Sequence, residues 1–411
     1  MLKYNTVRLQ LPKRREDQFI PVRVVYRGCE TAVRIGYKIG HRTPWLQPHY
    51  FNPQAYSIER GKVILAVAGK GAGKTNLMRN LVQAYYRTTK NPIVVFQEKK
   101  DDLDFNRSPT LKQIREAGVE RIRLAPPDTC NSPQRGLIPL MDEERRKKRD
   151  RDEFELKIPL AEIDYSTIAE YFGKRMSSTV AGLVLERVWQ DWKNHTNIKL
   201  LEEAVRNELI RFKDDPYYTN IELHCKRFLE LLKMDQLLEI EKAKSVYSYI
   251  HPEQINIVDL SDIGDLDIKR FVVAQMLKMI ERAFKRRECF IGITESHIYA
   301  PETGDFEAKR EIIRLVTVLA RSYGWTVFLE TQSPDAIERI VLENADEIYI
   351  LGYVQRSKLT KLLRTASVSF EGFVDLFYKV TDNIPKGMGV YGSAVDPTNP
   401  YVVRIQLSPV G

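Results

Sequence analysis

The sequence predicts an α/β protein: a mainly parallel sheet core, an inserted helical subdomain and a small N-terminal β-rich cap. Three observations carry this prediction. The apolar run Val63-Ile64-Leu65-Ala66-Val67 passes through a glycine-rich turn into a segment where Leu77, Met78, Leu81, Val82 and Tyr85 repeat at helical spacing, the strand, turn and helix of a parallel unit. Short apolar runs at Ile93 to Phe96, Arg121 to Leu124, Ile255 to Leu260, Cys289 to Thr294, Thr326 to Glu330 and Glu347 to Leu351 read as further strands, in the form expected where both sheet faces are covered. Between roughly Cys130 and His251 the helical period dominates instead.

In chain order, residues 1–60 form the cap, where Val7, Leu9 and Leu11, and then Val33, Ile35, Tyr37 and Ile39, alternate with polar neighbours as in half-buried strands. Residues 61–129 and 252–385 make the core, with residues 130–251 inserted. The insert shows helical periods at Val180, Leu183, Val184 and Val188 and at Leu200, Leu201, Ala204 and Val205; Trp189 and Trp192 on the first of these helices read as core packing. Late in the core, Ile312, Ile313, Leu315, Val316 and Leu319 mark a helix that stops at Gly324, the residue that best tolerates a left-handed C-cap. Ser333 followed by Pro334 reads as a helix start. Residues 386–411 are a C-terminal extension ending in an alternating strand at Val403, Ile405 and Leu407.

Composition narrows the classes. At 411 residues, 43% hydrophobic and 29% charged, the chain is ordinary for a globular protein. No apolar run approaches the ~20 residues of a membrane span, and Met1-Leu2-Lys3-Tyr4-Asn5 does not begin a signal peptide, so a cytoplasmic protein without a membrane partner is expected. Cys29, Cys130, Cys225 and Cys289 are scattered without a CxxC pair, which argues against a disulfide framework or a zinc site. A net charge of +9 favours a polyanionic partner. The densest basic run, Arg145 to Arg149, is interleaved with Glu143, Glu144, Asp150 and Asp152 and reads as a solvated connector.

The chemistry concentrates in Ala68-Gly69-Lys70-Gly71-Ala72-Gly73-Lys74-Thr75, a P-loop pattern. Small residues let successive backbone N–H groups converge on a phosphate, and the following helix adds its positive dipole end. Gly69, Lys70, Gly71, Ala72, Gly73, Lys74 and Thr75 are therefore the nucleotide-binding residues: Lys74 reaches the β/γ phosphates and Thr75 holds Mg²⁺, with ATP as the ligand. Cys289 to Thr294 ends in Glu295, at the strand edge where the crevice of a parallel sheet opens. A carboxylate there activates the attacking water and contributes indirectly to the Mg²⁺ site. Gln332, at the end of the Thr326 to Glu330 strand, is placed to sense the γ-phosphate or hold that water.

With these residues the chain resembles the HerA/FtsK superfamily of P-loop DNA-pumping ATPases, and within it the HerA-like branch. Glu295-Ser296-His297 with Ala300-Pro301 is similar to the acidic Walker B box, Arg321-Ser322-Tyr323-Gly324 to a basic, aromatic, glycine helix end, and Thr331-Gln332-Ser333-Pro334 to the sensor. Ile257-Val258-Asp259-Leu260-Ser261 resembles a family strand that precedes a long helix, here Phe271 to Phe284. The resemblance covers about residues 61–105 and 254–352. It implies a RecA-like core in a homo-hexameric ring with double-stranded DNA in its channel. On this analogy Arg321 is an arginine finger, worth about 10³ to 10⁵ in kcat, and Arg60 is a weaker interface candidate. It also implies that the strand at Val403 to Leu407 lies over a neighbouring subunit, and that a nuclease or packaging partner is conceivable.

Three departures stand out: Thr294 at the usual Walker B aspartate position, Gln97-Glu98-Lys99-Lys100 in place of an aspartate-led turn, and a short N-terminal region. They keep two alternatives to a helicase or translocase open, a viral or plasmid DNA-packaging or transfer ATPase and a nucleotide-gated binding protein with weak hydrolysis. A hairpin-like Gln355-Arg356-Ser357-Lys358 with Lys361, or Lys99 with Lys100, are candidate DNA contacts, for each of which solvated surface is the favoured reading.

Overall fold

The computed structural model describes residues 33–39, 46–51, 61–89, 91–99, 134–139, 153–173, 179–192, 197–239, 249–369, 376, 387–394 and 396–405. The expectations at Val7 to Leu11, Arg60, Lys100, Arg121 to Leu124, the Arg145 to Arg149 run, Cys29, Cys130 and Leu407 lie outside them. In chain order the strands are β1 (Val33–Ile39), β2 (Leu46–Phe51), β3 (Lys62–Ala68), β4 (Ile93–Gln97), β5 (Gln134–Pro139), β6 (Glu153–Leu156), β7 (Ile158–Pro159), β8 (Leu238–Glu239), β9 (Ile255–Asp259), β10 (Phe290–Ile293), β11 (Thr326–Thr331), β12 (Glu347–Leu351), β13 (Met388–Ser393) and β14 (Asp396–Ile405). The helices are α1 (Lys74–Thr89), α2 (Tyr165–Tyr171), α3 (Val180–Trp192), α4 (Ile198–Leu209), α5 (Tyr218–Met234), α6 (Leu266–Phe284), α7 (Glu307–Arg314), α8 (Ala320–Tyr323), α9 (Arg339–Glu343) and α10 (Arg356–Ser369).

The chain divides into two compact units. The first comprises Met1–Arg135, His251–Val258 and Phe284–Gly411 and holds the sheet order β2-β1-β14-β13-β12-β3-β11-β10-β4-β9. From β12 through β4 adjacent strands run parallel, and from β12 through β2 they run antiparallel. The α/β prediction therefore stands. β3, β4, β10, β11 and β12 are buried along their whole length, which is why their sequences run continuously apolar. Beneath the P-loop helix, Leu77, Met78, Leu81 and Tyr85 pack with Ile64, Val95, Phe290 and Phe328 in one core.

Two strand neighbours matter for the site. β3 lies between β11 and β12, with Glu330 opposite Ala66 and Thr331 opposite Val67, and β10 lies between β11 and β4. Thus the strand carrying the acidic motif is separated from the P-loop strand by β11 alone. A buried ion pair between Lys62 Nζ and Glu347 Oε1 (3.0 Å) ties the base of β3 to β12.

The second unit comprises Gly136–Ile250 and Asp259–Ala283. Its helices α3 and α4 appear at the expected helical periods, α5 follows them, and Trp189, Trp192, Phe228 and Tyr165 form its aromatic core. Trp189 Nε1 donates to Ile163 O at 2.9 Å, the satisfied polar tip expected of a packing tryptophan.

The expected C-terminal strand at Val403 and Ile405 is part of β14, which enters its own sheet with Val403 opposite Gly389 and Lys38. Two local expectations are corrected. Ser333-Pro334 begins a turn and not a helix; Ala336 N donates to Ser333 O, and Glu302 N and Glu338 N then bond to Ala336 O and Ala300 O, holding the segment extended until α9. Gln355 to Lys358 is the start of α10, not a hairpin, since Leu359 and Leu362 bury a helical face. Gly324 does end α8, at φ 72°.

Candidate nucleotide site

β3 ends at Ala68, and the chain turns through Gly69 to Gly73 before α1 starts at Lys74. Gly71 and Gly73 hold φ of 75° and 108°, left-handed values that side chains resist. The turn is also packed from outside: a Cβ on Gly69 would meet Tyr353 O at 2.9 Å, and one on Gly352 would meet Ala72 Cβ at 2.7 Å. Gly387 N donates to Ala72 O at 3.1 Å. A constrained turn thereby presents backbone N–H groups at the head of a 16-residue helix, an anion site by dipole and donors together. Lys74 is 7% exposed; its Nζ donates to Ala68 O at 3.2 Å and Gly69 O at 3.5 Å, and lies 3.7 Å from Glu330 Oε1. Thr75 is partly buried in the first turn of α1, and Lys70 is exposed.

Glu295 follows β10 in a left-handed conformation, φ 48° and ψ 44°, the only non-glycine residue with positive φ among the described residues. Such a conformation costs on the order of 1–3 kcal/mol and persists where its surroundings enforce it. Here Ile298 N closes a turn onto Glu295 O, and Ser296 Oγ donates to Glu330 O at 3.0 Å, pinning the turn to β11. The carboxylate is 6% exposed. Its Oε1 accepts from the Gln332 amide and from Lys99 Nζ at 3.2 Å, while Oε2 is buried without a hydrogen-bond partner.

His297 reports on both charges. Its Nδ1 shares a hydrogen bond with Thr331 Oγ1 at 3.1 Å and lies 3.7 Å from Glu295 Oε2. Burial holds the imidazole below its usual value; Glu295 and Asp335 oppose this, whereas Lys74 and Lys358 reinforce it. The ring is therefore neutral at pH 7, and the Glu295 contact is a polar one, not an ion pair. The donor set suits Mg²⁺ beside a triphosphate: a threonine at the loop's helix start, hard carboxylate oxygens opposite, and in Glu295 Oε2 a buried acceptor with spare capacity. No group of three or more His, Cys, Asp or Glu side chains that could hold a metal ion occurs among the described residues.

A family model described as the helicase HerA central domain matches residues 61–280, more than half of the chain. The chain belongs to the HerA central-domain family. It is accordingly a P-loop ATPase. Among solved structures, it is similar to VirB4 of Thermoanaerobacter pseudethanolicus, at 12% identity and a TM-score of 0.57, covering 92% of this chain and 97% of that one; this likeness is one of fold. Lower scores are obtained for the bacterial conjugative coupling protein TrwBdeltaN70 (12% identity, TM-score 0.49, 85% and 86% covered) and for the genome packaging NTPase B204 of Sulfolobus turreted icosahedral virus 2 (10%, 0.38, 87% and 100%). No curated protein gives a significant sequence match.

In this HerA-family chain Gln332 and Glu295 touch, and Lys74 faces Glu330 on β11. Arg321 does not join them. It is 43% exposed and pairs with Asp346 Oδ1 at 3.7 Å, where Val63 N donates to Asp346 Oδ2, so it sits at the opposite end of β3 from the P-loop. With about 3.3 Å per residue, the seven residues of β3 separate the two by about 20 Å. Thr294 is a strut: its hydroxyl donates to Phe96 O at 3.1 Å and accepts from Glu98 N at 3.0 Å. Lys361 is engaged with Ile337 O and Glu302. Sequence reading did not single out Glu330 or the pairing of Lys99 with Glu295. An acid near the end of a largely apolar strand, two residues before Gln332, was the available signal for the first.

Proposed function

We propose that this ATPase is a translocase of double-stranded DNA, with helicase activity of the HerA type, working as a homo-hexameric ring in the cytoplasm. The observation that carries the chemistry is that β11 runs between the strands leading to Lys74 and Glu295, with Glu330 beside Lys74 and Gln332, just past the strand's end, against Glu295. The triphosphate of ATP lies along Gly69 to Thr75, with Lys74 leaving its loop carbonyls for the β/γ phosphate oxygens. Glu295 takes a proton from a water whose oxygen adds to the γ-phosphorus as the bond to the β-bridging oxygen breaks, releasing ADP and phosphate. Gln332 holds the Glu295 carboxylate in register for that transfer. Thr75 would hold Mg²⁺, which would supply positive charge beside the phosphates.

Arg321 is read as acting in a neighbouring subunit's site. Its partial exposure and its distance from its own P-loop support this, since a trans finger must face outward. The net charge of +9 supports a phosphate-backbone partner. No helix among the described residues is long and apolar enough to cross a membrane.

The test is phosphate release from the assembled oligomer with and without duplex DNA, together with particle imaging in nucleotide. Six-fold rings and DNA-stimulated turnover are expected. Turnover indifferent to DNA would sink the motor and leave the packaging or transfer ATPase reading to be tested with its own partner; nucleotide binding without turnover would favour the binding switch.

A further inference from the structure

We propose that Glu330 is the carboxylate that positions magnesium in this protein, in the role left open by Thr294 at the end of β10. The assignment rests on the ATPase reading above and names a positioning residue for it. Thr294 is committed elsewhere, its donor and an acceptor position both spent joining β10 to the end of β4. One strand over, Glu330 is 4% exposed within the buried strand β11. A charged carboxylate at such depth carries a desolvation cost of several kcal/mol that a nearby cation must offset.

The cation it faces is the phosphate-binding lysine, at 3.7 Å, while Lys74 donates its hydrogen bonds to Ala68 O and Gly69 O. Register places Glu330 opposite Ala66, two residues before the end of β3, so its side chain reaches toward the turn. It lies two residues before Gln332, which follows β11 and whose amide engages Glu295. Its own backbone is fixed by Ser296 Oγ, from the turn that aims Glu295. Glu330 thus stands between the two halves of the site, where a hard oxygen acceptor can bind water ligands of the cation held at Thr75. Outer-sphere partners of this kind are worth about 10–100-fold in metal affinity.

The test measures fluorescent ATP-analogue binding to the full chain as magnesium is titrated, a readout independent of turnover. Glu330→Gln should raise the magnesium concentration at half-effect by about tenfold or more, while affinity in EDTA stays equal or improves, because a negative charge near the phosphates is gone. Thr294→Val should leave that midpoint in place. If Glu330 is only a counter-ion for Lys74, Glu330→Gln will change affinity equally with and without magnesium, and the unmoved midpoint overturns the proposal. Should Glu330→Gln not fold, Glu330→Asp keeps the charge but withdraws it by one methylene; its midpoint must also rise, and an unmoved one overturns the proposal just as well. Wild-type protein that binds no nucleotide at any magnesium level refutes the ATPase reading along with this assignment, whereas an unmoved midpoint beside a binding wild type refutes the assignment alone.

Discussion

Replacing Glu295 with glutamine isolates the proton-accepting role from everything else the residue does. The amide is nearly isosteric, and its oxygen still accepts from Gln332. Because residue 295 remains a non-glycine, the left-handed strain at φ 48° is unchanged. What disappears is the negative charge. Its ion pair with Lys99, a lysine 54% exposed at the side chain, is worth at most about 1 kcal/mol in solvent, and the buried Oε2 no longer needs to hold charge without a hydrogen-bond donor. Stability should therefore change by less than about 1 kcal/mol. A positioned general base contributes about 10² to 10⁴ in rate, or roughly 3–5 kcal/mol at about 1.36 kcal/mol per decade. Steady-state phosphate release should fall by that factor while ATP-analogue affinity stays within about threefold. A folded Glu295→Gln protein that retains a third or more of wild-type turnover would refute the assignment of Glu295 as the base.

Lys62→Met leaves Glu347 charged and buried beside the removed partner, and should cost about 3–5 kcal/mol in denaturant unfolding; the double change with Glu347→Gln should recover most of it. Burial raises the Asp346 carboxyl above its ordinary 3.8, against the pull of Val63 N–H and Arg321. Protonation then favours the fold, so this contribution is complete below pH 3.8 and is lost as pH rises through the higher folded value; Asp346→Asn, which keeps an acceptor for Val63, should melt higher than wild type at pH 7 and lose that advantage near about pH 3.5 in a calorimetric series. Burial pushes the Cys225 thiol up to about 12 and raises Cys289 as well, so alkylation at pH 8 followed by mass spectrometry should find both unmodified until the protein is unfolded.

The parts of the site legible in the sequence are those in which chemistry is written into adjacent residues. The P-loop needs small residues in a row, then lysine and threonine at a helix start, and each constraint acts within about eight positions. Glu295 and Gln332 were legible because each follows a buried apolar strand, and Gly324 because a helix end demands a left-handed residue there. Ser333-Pro334 misled for the same reason: a valid local helix start was overruled by distant backbone partners at Ala300 and Glu302. Lys99, a plausible solvated contact when read alone, finds its partner 196 residues away.

Local order thus determined that this chain folds as α/β with a P-loop turn ahead of α1, since period, turn chemistry and helix starts act over a few residues. Tertiary structure alone decided that β11 runs between the P-loop strand and the acidic strand, bringing Glu330 to Lys74 and Gln332 to Glu295. Which strand lies beside which depends on hydrogen bonding and burial between segments far apart in the chain, and no short-range pattern encodes that choice.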